Sequence, residues 1–543
     1  MNTPRVRRSI ADIQADYDRG DKLELEALVR AWKGIKELPA DDPRSFFMLG
    51  GFHGEPFRGP GATDPSWWGG YCQHGTVLFP SWHRAYLFKL EEALRSIPGC
   101  EDVALPFWDE CSDAARTSGI PRALTDRTFT LDDVEIDNPL RSFVFPVAIV
   151  DDVEGDSALY SKPAGYETVR YPLSGLVGTA EDRAATAAHN ALFPDYATNV
   201  ALLETNIVAW LNTTVTIGTT KVGEIYNKFV NCLKTPTYTL FSNTTSMSNW
   251  NKHNPKNLVV ALESPHNNMH LAVGGFDVPG QGDFSPIAGA NGDMGENDTA
   301  GLDPIFYFHH CFIDYTFWSW QRKNGFTDGF TIDETDPGAM YNAAVNPPPA
   351  GADLDAPMTM ATRFDPFKKA DGTPYVTSDV VNIETQLGYR YGPGSLDKFI
   401  GPAAENTGLM FAEAAPQPDA DARTVHIGGI DRAKIRGSFL ISVYAEVAGE
   451  EQLVGREAVL SRWHVQGCAN CMSHLKVSAD FRLPEGAEDE KDVRVEIRTR
   501  AGISGRQHAP SLVAAVAGEP SASVEETRPA LADIEIPFSL SVR

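Results

Sequence analysis

Hydrophobic residues recur with helical spacing from Lys22 to Leu38 and from Trp82 to Ile97, as they do on a helix with one buried face. Less regular stretches of the same kind run through Asp195 to Leu211, Glu224 to Cys232, Leu258 to Leu271 and Ile305 to Gln321. They predict a mainly α unit, a helical bundle in which facing side chains can meet around a metal. Farther along, the period falls to two in Gly437 to Tyr444, His474 to Phe481, Val493 to Arg498 and Ile534 to Leu540. Alternation of that kind marks half-buried strands, so an all-β sandwich or barrel is expected there. Between the two patterns lies Ala403 to Arg423, whose Ala, Pro and Asp residues read as an exposed linker open to proteases. The expected organisation is a helical domain over 1–402, a linker over 403–423 and a β-rich domain over 424–543. A chain of 543 residues is too long for one core and fits that division. It carries no internal repeat and no uninterrupted apolar run of membrane-helix length.

Charge narrows the partners. With 47 basic against 73 acidic residues the formal charge is −26, which disfavours nucleic acid and anionic membranes and leaves a homo-oligomer open. Met1 to Ile10 lacks the apolar stretch of a signal peptide, so an intracellular, cytoplasmic protein is expected. The sequons at Asn212 and Asn243 carry no weight in that setting. Seven cysteines are an odd number and argue against a disulfide framework; Cys100, Cys111, Cys232 and Cys311 are expected to be free.

The chemistry is concentrated in histidines. His266 and His270 stand four apart and share one helix face, with Pro265 in the first turn and Ser264 as the expected N-cap. His310 sits in the apolar run from Phe306 to Ile313, where an unpaired imidazole is costly and a ligand role removes the cost. His309, its neighbour, points about 100° away, so only one of the two can face a metal. Upstream, His83 lies on an amphipathic helix beginning near Pro80, His74 one segment before it, and His53 in a turn-rich stretch. Two clusters of three imidazoles suit copper, iron or zinc, and without an evident carboxylate they favour an all-nitrogen copper site over calcium or magnesium. His189, His253, His426, His464, His474 and His508 read as structural.

These patterns resemble the type-3 dinuclear copper proteins: the tyrosinases, the catechol oxidases and, more distantly, the haemocyanins. The family's first copper signature is met at His74, Phe79, Trp82, His83, Arg84, Leu87 and Glu91, its second at Asp303, Pro304, Phe306, Tyr307, His310 and Asp314. Tyr389-Arg390-Tyr391 is similar to the motif that ends the catalytic domain, and the likeness covers roughly residues 1 to 400. Tyr315 departs from it, standing where the family usually has a basic residue, and implies tuning rather than loss of copper.

The resemblance implies that His53, His74 and His83 hold copper A and that His266, His270 and His310 hold copper B, with dioxygen as co-substrate. It implies conversion of small phenols and catechols, such as tyrosine or DOPA, to o-quinones. Glu263 and Asn267 are similar to a pair that holds a water for phenol deprotonation, a step a group titrating near 10 requires. Beside two copper cations the Glu263 carboxylate is expected to stay ionised. Asn297 and Met294 are the implied gate. Cys72, two residues before His74, resembles the cysteine that forms a thioether with a copper ligand. Cys468 and Cys471 resemble the copper-loading pair of fungal protyrosinases, whose C-terminal domain covers the copper site. Trp463, Leu460 and Val459 are the candidates for the covering residue, Trp463 preferred for its aromatic face. A tyrosinase restrained by its own tail is the leading reading. A catechol or o-aminophenol oxidase is the alternative, and an oxygen carrier or a copper chaperone leaves more of these residues without a task.

Overall fold

The computed structural model describes residues 4–54, 70–150, 160–217, 220–276, 292–341, 356–401, 423–465, 468–487, 489–505 and 534–543. Apart from Arg423, the expected linker lies outside them. Four helices carry five of the six expected ligand histidines, Phe46–Gly54, Phe79–Arg95, Glu263–Gly274 and Ile305–Asn324, and His74 lies in a turn before the second of them. The last two helices form the centre of the bundle. All of Glu263–Gly274 is buried, and so is Ile305–Asn324 from its start to Gln321. A helix covered on every side needs no polar face, which is why its periodicity is weak.

Close backbone contacts fix the spacing between these helices and the loop before Ile305. A Cβ on Gly274 would lie 2.2 Å from the backbone of Gly295, and one on Gly50 would lie 2.6 Å from the carbonyl oxygen of Gly301. Only glycine permits either approach.

A buried ionic network ties the bundle together. The Arg5–Arg7 strand pairs in parallel with Tyr389–Tyr391. Arg7 Nε donates to Glu91 at 2.7 Å, Arg84 Nε donates to Asp314 at 2.5 Å, and the Tyr389 and Tyr391 hydroxyls both donate to Asp314 at 2.6 Å. Asp314 therefore draws its positive partners from Arg84 and Arg7. Tyr315, in place of a basic residue, stacks on Phe107 with ring centroids 5.0 Å apart.

The β-rich region is a sandwich. A four-stranded sheet runs Glu450–Val459, Phe439–Val447, Val493–Thr499, Gly502–Gly505, and a three-stranded sheet runs Lys476–Arg482, Thr424–Asp431, Ser539–Val542. Val425, Ile427, Ile441, Val443, Val495 and Ile497 from both sheets fill one core.

Several expectations change. The helix expected from Leu258 begins at Glu263, with Leu262 at its N-cap making no side-chain cap bond. Ser264 is inside the first turn, and its hydroxyl donates to Glu457 at 2.9 Å. His53 is on a helix rather than in a turn. Of Ile534 to Leu540 only the end is strand, while Thr424–Asp431 and Glu450–Val459 are strands that alternation did not reveal. Two charged residues of Glu450–Val459 have partners on the helical unit, Arg456 Nε meeting Glu224 at 2.7 Å and Glu457 meeting Lys228 at 3.0 Å.

Candidate metal centre

Six imidazoles converge between the four helices. His266 Nε2 and His270 Nε2 lie 3.2 and 3.3 Å from His310 Nε2. On the other side, the rings of His53, His74 and His83 are 5.2 to 5.6 Å apart. The two triads abut, His83 stacking on His310 at 4.5 Å and His74 lying 5.3 Å from His266.

The second nitrogen of most rings is fixed by the protein. His53 Nδ1 donates to Asn297 O at 3.2 Å, His83 Nδ1 to Phe79 O at 2.8 Å, His270 Nδ1 to Met294 O at 2.8 Å, and His266 Nδ1 to the Asn267 side-chain oxygen at 2.9 Å. Each such bond leaves the Nε2 lone pair free, and the Nε2 atoms of His53, His74 and His83 are buried without a partner. Burial lowers every one of these imidazoles, His53 to about 3, so they stand neutral.

Neutral imidazoles with orphaned, converging lone pairs are a metal site's donor set. Nitrogens sharing one ion at about 2.0 Å sit about 3.3 Å apart in a tetrahedral arrangement, close to the His266–His310 and His270–His310 separations. Two all-nitrogen triads side by side suit a pair of copper ions.

Residues 43–323, a little over half of the chain, match the family model of the common central domain of tyrosinase. The chain belongs to the tyrosinase family. It is 49% identical over 509 residues to a tyrosinase, HcTyr2, of Hahella sp. (strain CCB-MM4), covering 90% of both chains. It is 40% identical over 542 residues to a tyrosinase of Aspergillus oryzae, covering 93% of this chain and 95% of that one. Among solved structures, the tyrosinase from Burkholderia thailandensis at low pH superposes with a TM-score of 0.79 at 45% identity, covering 99% of this chain and all of the other. Members of the family bind dinuclear copper and act on phenols, and this chain is an oxidoreductase of that kind.

The other expected site residues surround the triads. Glu263 is buried, accepting from Gly75 N–H at 2.9 Å and from Thr244 N–H and hydroxyl at 2.8 and 3.0 Å. It thus ties the His74 segment to the His266 helix. Burial pushes its carboxyl above the ordinary value, while the Thr244 and Gly75 donors and the Arg432 charge pull it back. Cys72 is buried, with a thiol pushed up to about 11, and its sulfur lies within 4.8 Å of the His53 and His74 ligand atoms. Met294 and Asn297 are buried and act through their carbonyls on His270 and His53; Asn297 Nδ2 also reaches Cys72 Sγ at 3.4 Å.

From the β-rich region, Asn470 Nδ2 donates to the carbonyls of His74 at 2.9 Å and Cys72 at 3.2 Å. Cys468 and Cys471, which flank it, were expected as copper-handling thiols but are joined in a disulfide. Of the covering candidates, Trp463 packs in a side cluster with Tyr160 and Leu176, and Val459 in the sandwich core. Leu460 belongs to the large apolar core of the helical unit.

Sequence reasoning set His309 aside, yet its ring stacks on His266 at 5.2 Å and its ligand atom joins those of His266, His270 and His310 within 4.8 Å. His309 Nδ1 contacts the fully buried Glu110 at 2.5 Å. Nothing local in Trp108-Asp109-Glu110-Cys111 signals this pairing across the fold. Replacing Glu110 with alanine frees the His309 ring, which packs on the three expected ligands His266, His270 and His310. Copper affinity at the His266 side is expected to fall by about ten- to a hundred-fold, measured by competition with a chelator. Glu110→Gln, which can still accept from His309, should keep most of it.

Proposed function

We propose that the chain is a monophenol monooxygenase and o-diphenol oxidase restrained by its C-terminal β domain. The observation that carries the reading is the six-imidazole cluster, with buried, converging nitrogens held by carbonyls behind them. His53, His74 and His83 would hold one copper, and His266, His270 and His310 the other. When bound, the copper pair supplies the electrons that activate dioxygen and a positive site for a phenolate. The protein keeps the six ligands neutral by desolvating them, and it fixes the rings of His53, His83, His266 and His270 from behind. Asn267 orients His266, and Glu263, drawn toward its ionised form by the two cations, serves as the proton acceptor for a monophenol. Cys72 is placed for a thioether that would lock the His74 ring.

Restraint is supported by Leu460, which belongs to the apolar core of the helical unit, and by the bond of Asn297 N–H to Ser461 O at 3.1 Å. The Cys468–Cys471 pair, seated on the His74 segment through Asn470, could pass copper only in its reduced form.

A second reading, catechol oxidase, is favoured by the fact that Gly75 and Thr244 already occupy both Glu263 oxygens. Oxygen uptake by the copper-loaded chain separates the two, measured with a monophenol and its catechol before and after limited proteolysis at 403–423. Monophenol turnover that rises on cleavage followed by dilution is the expected result. Turnover of catechol alone removes the role given to Glu263 and Asn267, and rates unchanged by cleavage followed by dilution remove the restraint.

A further inference from the structure

Outside the histidine cluster, a cleft of about 360 Å³ opens between the Thr125–Ser142 stretch, the 167–173 segment and the start of the Tyr196–Asn212 helix. On a chain carrying −26, this cleft gathers three arginines, Arg127, Arg141 and Arg170. Arg141 pairs with Glu167 and Arg170 with Asp303, so two carboxylates face three guanidiniums and one positive charge is left over. Arg127 and Arg141 both lie over the Tyr196 ring, at 5.8 and 5.5 Å from its centroid.

Two buried polar atoms here have no partner. Arg141 Nε lacks an acceptor, and Asn199 Oδ1, on a residue only 9% exposed, lacks a donor although its Nδ2 donates to Phe193 O at 3.0 Å. Orphaned groups of opposite sense at one cleft ask for a ligand that supplies both an anion and a hydrogen-bond donor. The rings of Phe193 and Tyr196 give it flat walls.

We infer that this cleft binds an aromatic carboxylic acid bearing a hydroxyl, its carboxylate on Arg141 and Arg127 and its hydroxyl donating to Asn199. The site is separate from the metal centre but shares a wall with it. Tyr171 N–H donates to Val273 O at 3.2 Å, and Asp293 N–H donates to Val169 O at 2.9 Å. Arg170 holds Asp303, just before the helix that bears His310, so an occupant of the cleft sits one ion pair from that helix.

The test is isothermal titration of the full-length, copper-loaded chain with 4-(hydroxymethyl)benzoate, which has no phenol to oxidise. The expected result is one saturable site, weakened at least tenfold in Arg141→Gln, in the exposed Arg127→Gln and in Asn199→Leu, each checked by thermal melting for an intact fold. 4-Methylbenzoate, lacking the donor, should bind several-fold more weakly to the unaltered chain and no more weakly to Asn199→Leu. Absence of saturable binding overturns the inference, as does binding that all three substitutions leave unchanged. Binding lost on removing copper places the acid at the metal centre and overturns it too, and equal displacement by inorganic phosphate reduces the cleft to a simple anion site.

Discussion

His310→Ala should abolish phenol and catechol oxidation while leaving the copper-free chain as stable as before. His310 is the hub of its triad, since its Nε2 is the atom that both His266 and His270 approach. Its loss removes the nitrogen around which the other two expected ligands are arranged, and bound copper should fall from two per chain toward one. Because both ions are needed to activate dioxygen, the rate should drop by at least about a thousandfold. Stability runs the other way. His310 Nδ1 is buried without a partner, and burying an unsatisfied polar group costs about 1–3 kcal/mol. Removing the ring relieves that cost and loses its packing on Phe306, 4.0 Å away, two effects of similar size and opposite sign. Metal analysis and oxygen uptake on one side, and thermal melting of the copper-free chain on the other, read the two arms. A variant that keeps two coppers and full turnover would remove His310 from the site.

Asp314→Ala should have the largest effect on stability. The carboxylate accepts from the Arg84 guanidinium and from two tyrosine hydroxyls, with Arg7 3.5 Å away, and both arginine side chains are fully buried. Alanine leaves Arg7 with Glu91 as its ion-pair partner and the Arg84 guanidinium with only neutral acceptors, Gln321 and the Val380 and Val381 carbonyls. Removing one member of a buried ionic cluster costs about 3–5 kcal/mol, against the small loss from cutting an exposed pair. The midpoint of denaturant unfolding should fall accordingly; a change under about 1 kcal/mol would show that the arginines find other partners.

Acid should imitate the substitution. Burial raises the Asp314 carboxyl, but Arg84 and Arg7 outweigh it and hold it below its ordinary value, and Glu91 is lowered in the same way by Arg7 and Arg5 against its own burial. A carboxyl lowered on folding contributes stability above its unfolded value, near 4, and that contribution is lost as pH falls through the folded value. The deficit of Asp314→Ala relative to the unaltered chain should therefore narrow below about pH 4.

Much of the site could be read from the chain because it is written on helices. The four-residue step from His266 to His270 and the embedding of His83 and His310 in apolar runs are local facts, and the structure brings these rings together. What holds the rings was hidden. The carbonyls of Met294 and Asn297 come from a loop whose path depends on Gly274 meeting Gly295, and Glu110 reaches His309 from 199 residues away. Fold features failed for similar reasons. The helix at Glu263 is buried all round, so nothing in its pattern marks where it starts, and Glu450–Val459 looks unlike a strand because two of its charged residues face partners on another unit.

That charged strand also decides what cutting the linker can achieve. Arg456 and Glu224 meet with both side chains nearly dry, Trp463 N–H is held by Asp298 at 2.7 Å, and Leu440, Ala458 and Leu460 belong to the helical unit's core. A cut at 403–423 severs the tether and leaves all of this in place. Two fragments that were neighbours by covalent necessity become partners in a bimolecular equilibrium, and the high effective concentration supplied by the linker disappears. A nicked chain in a crowded, concentrated compartment stays closed, and the same chain after dilution opens. The cut grants permission, and concentration sets the timing.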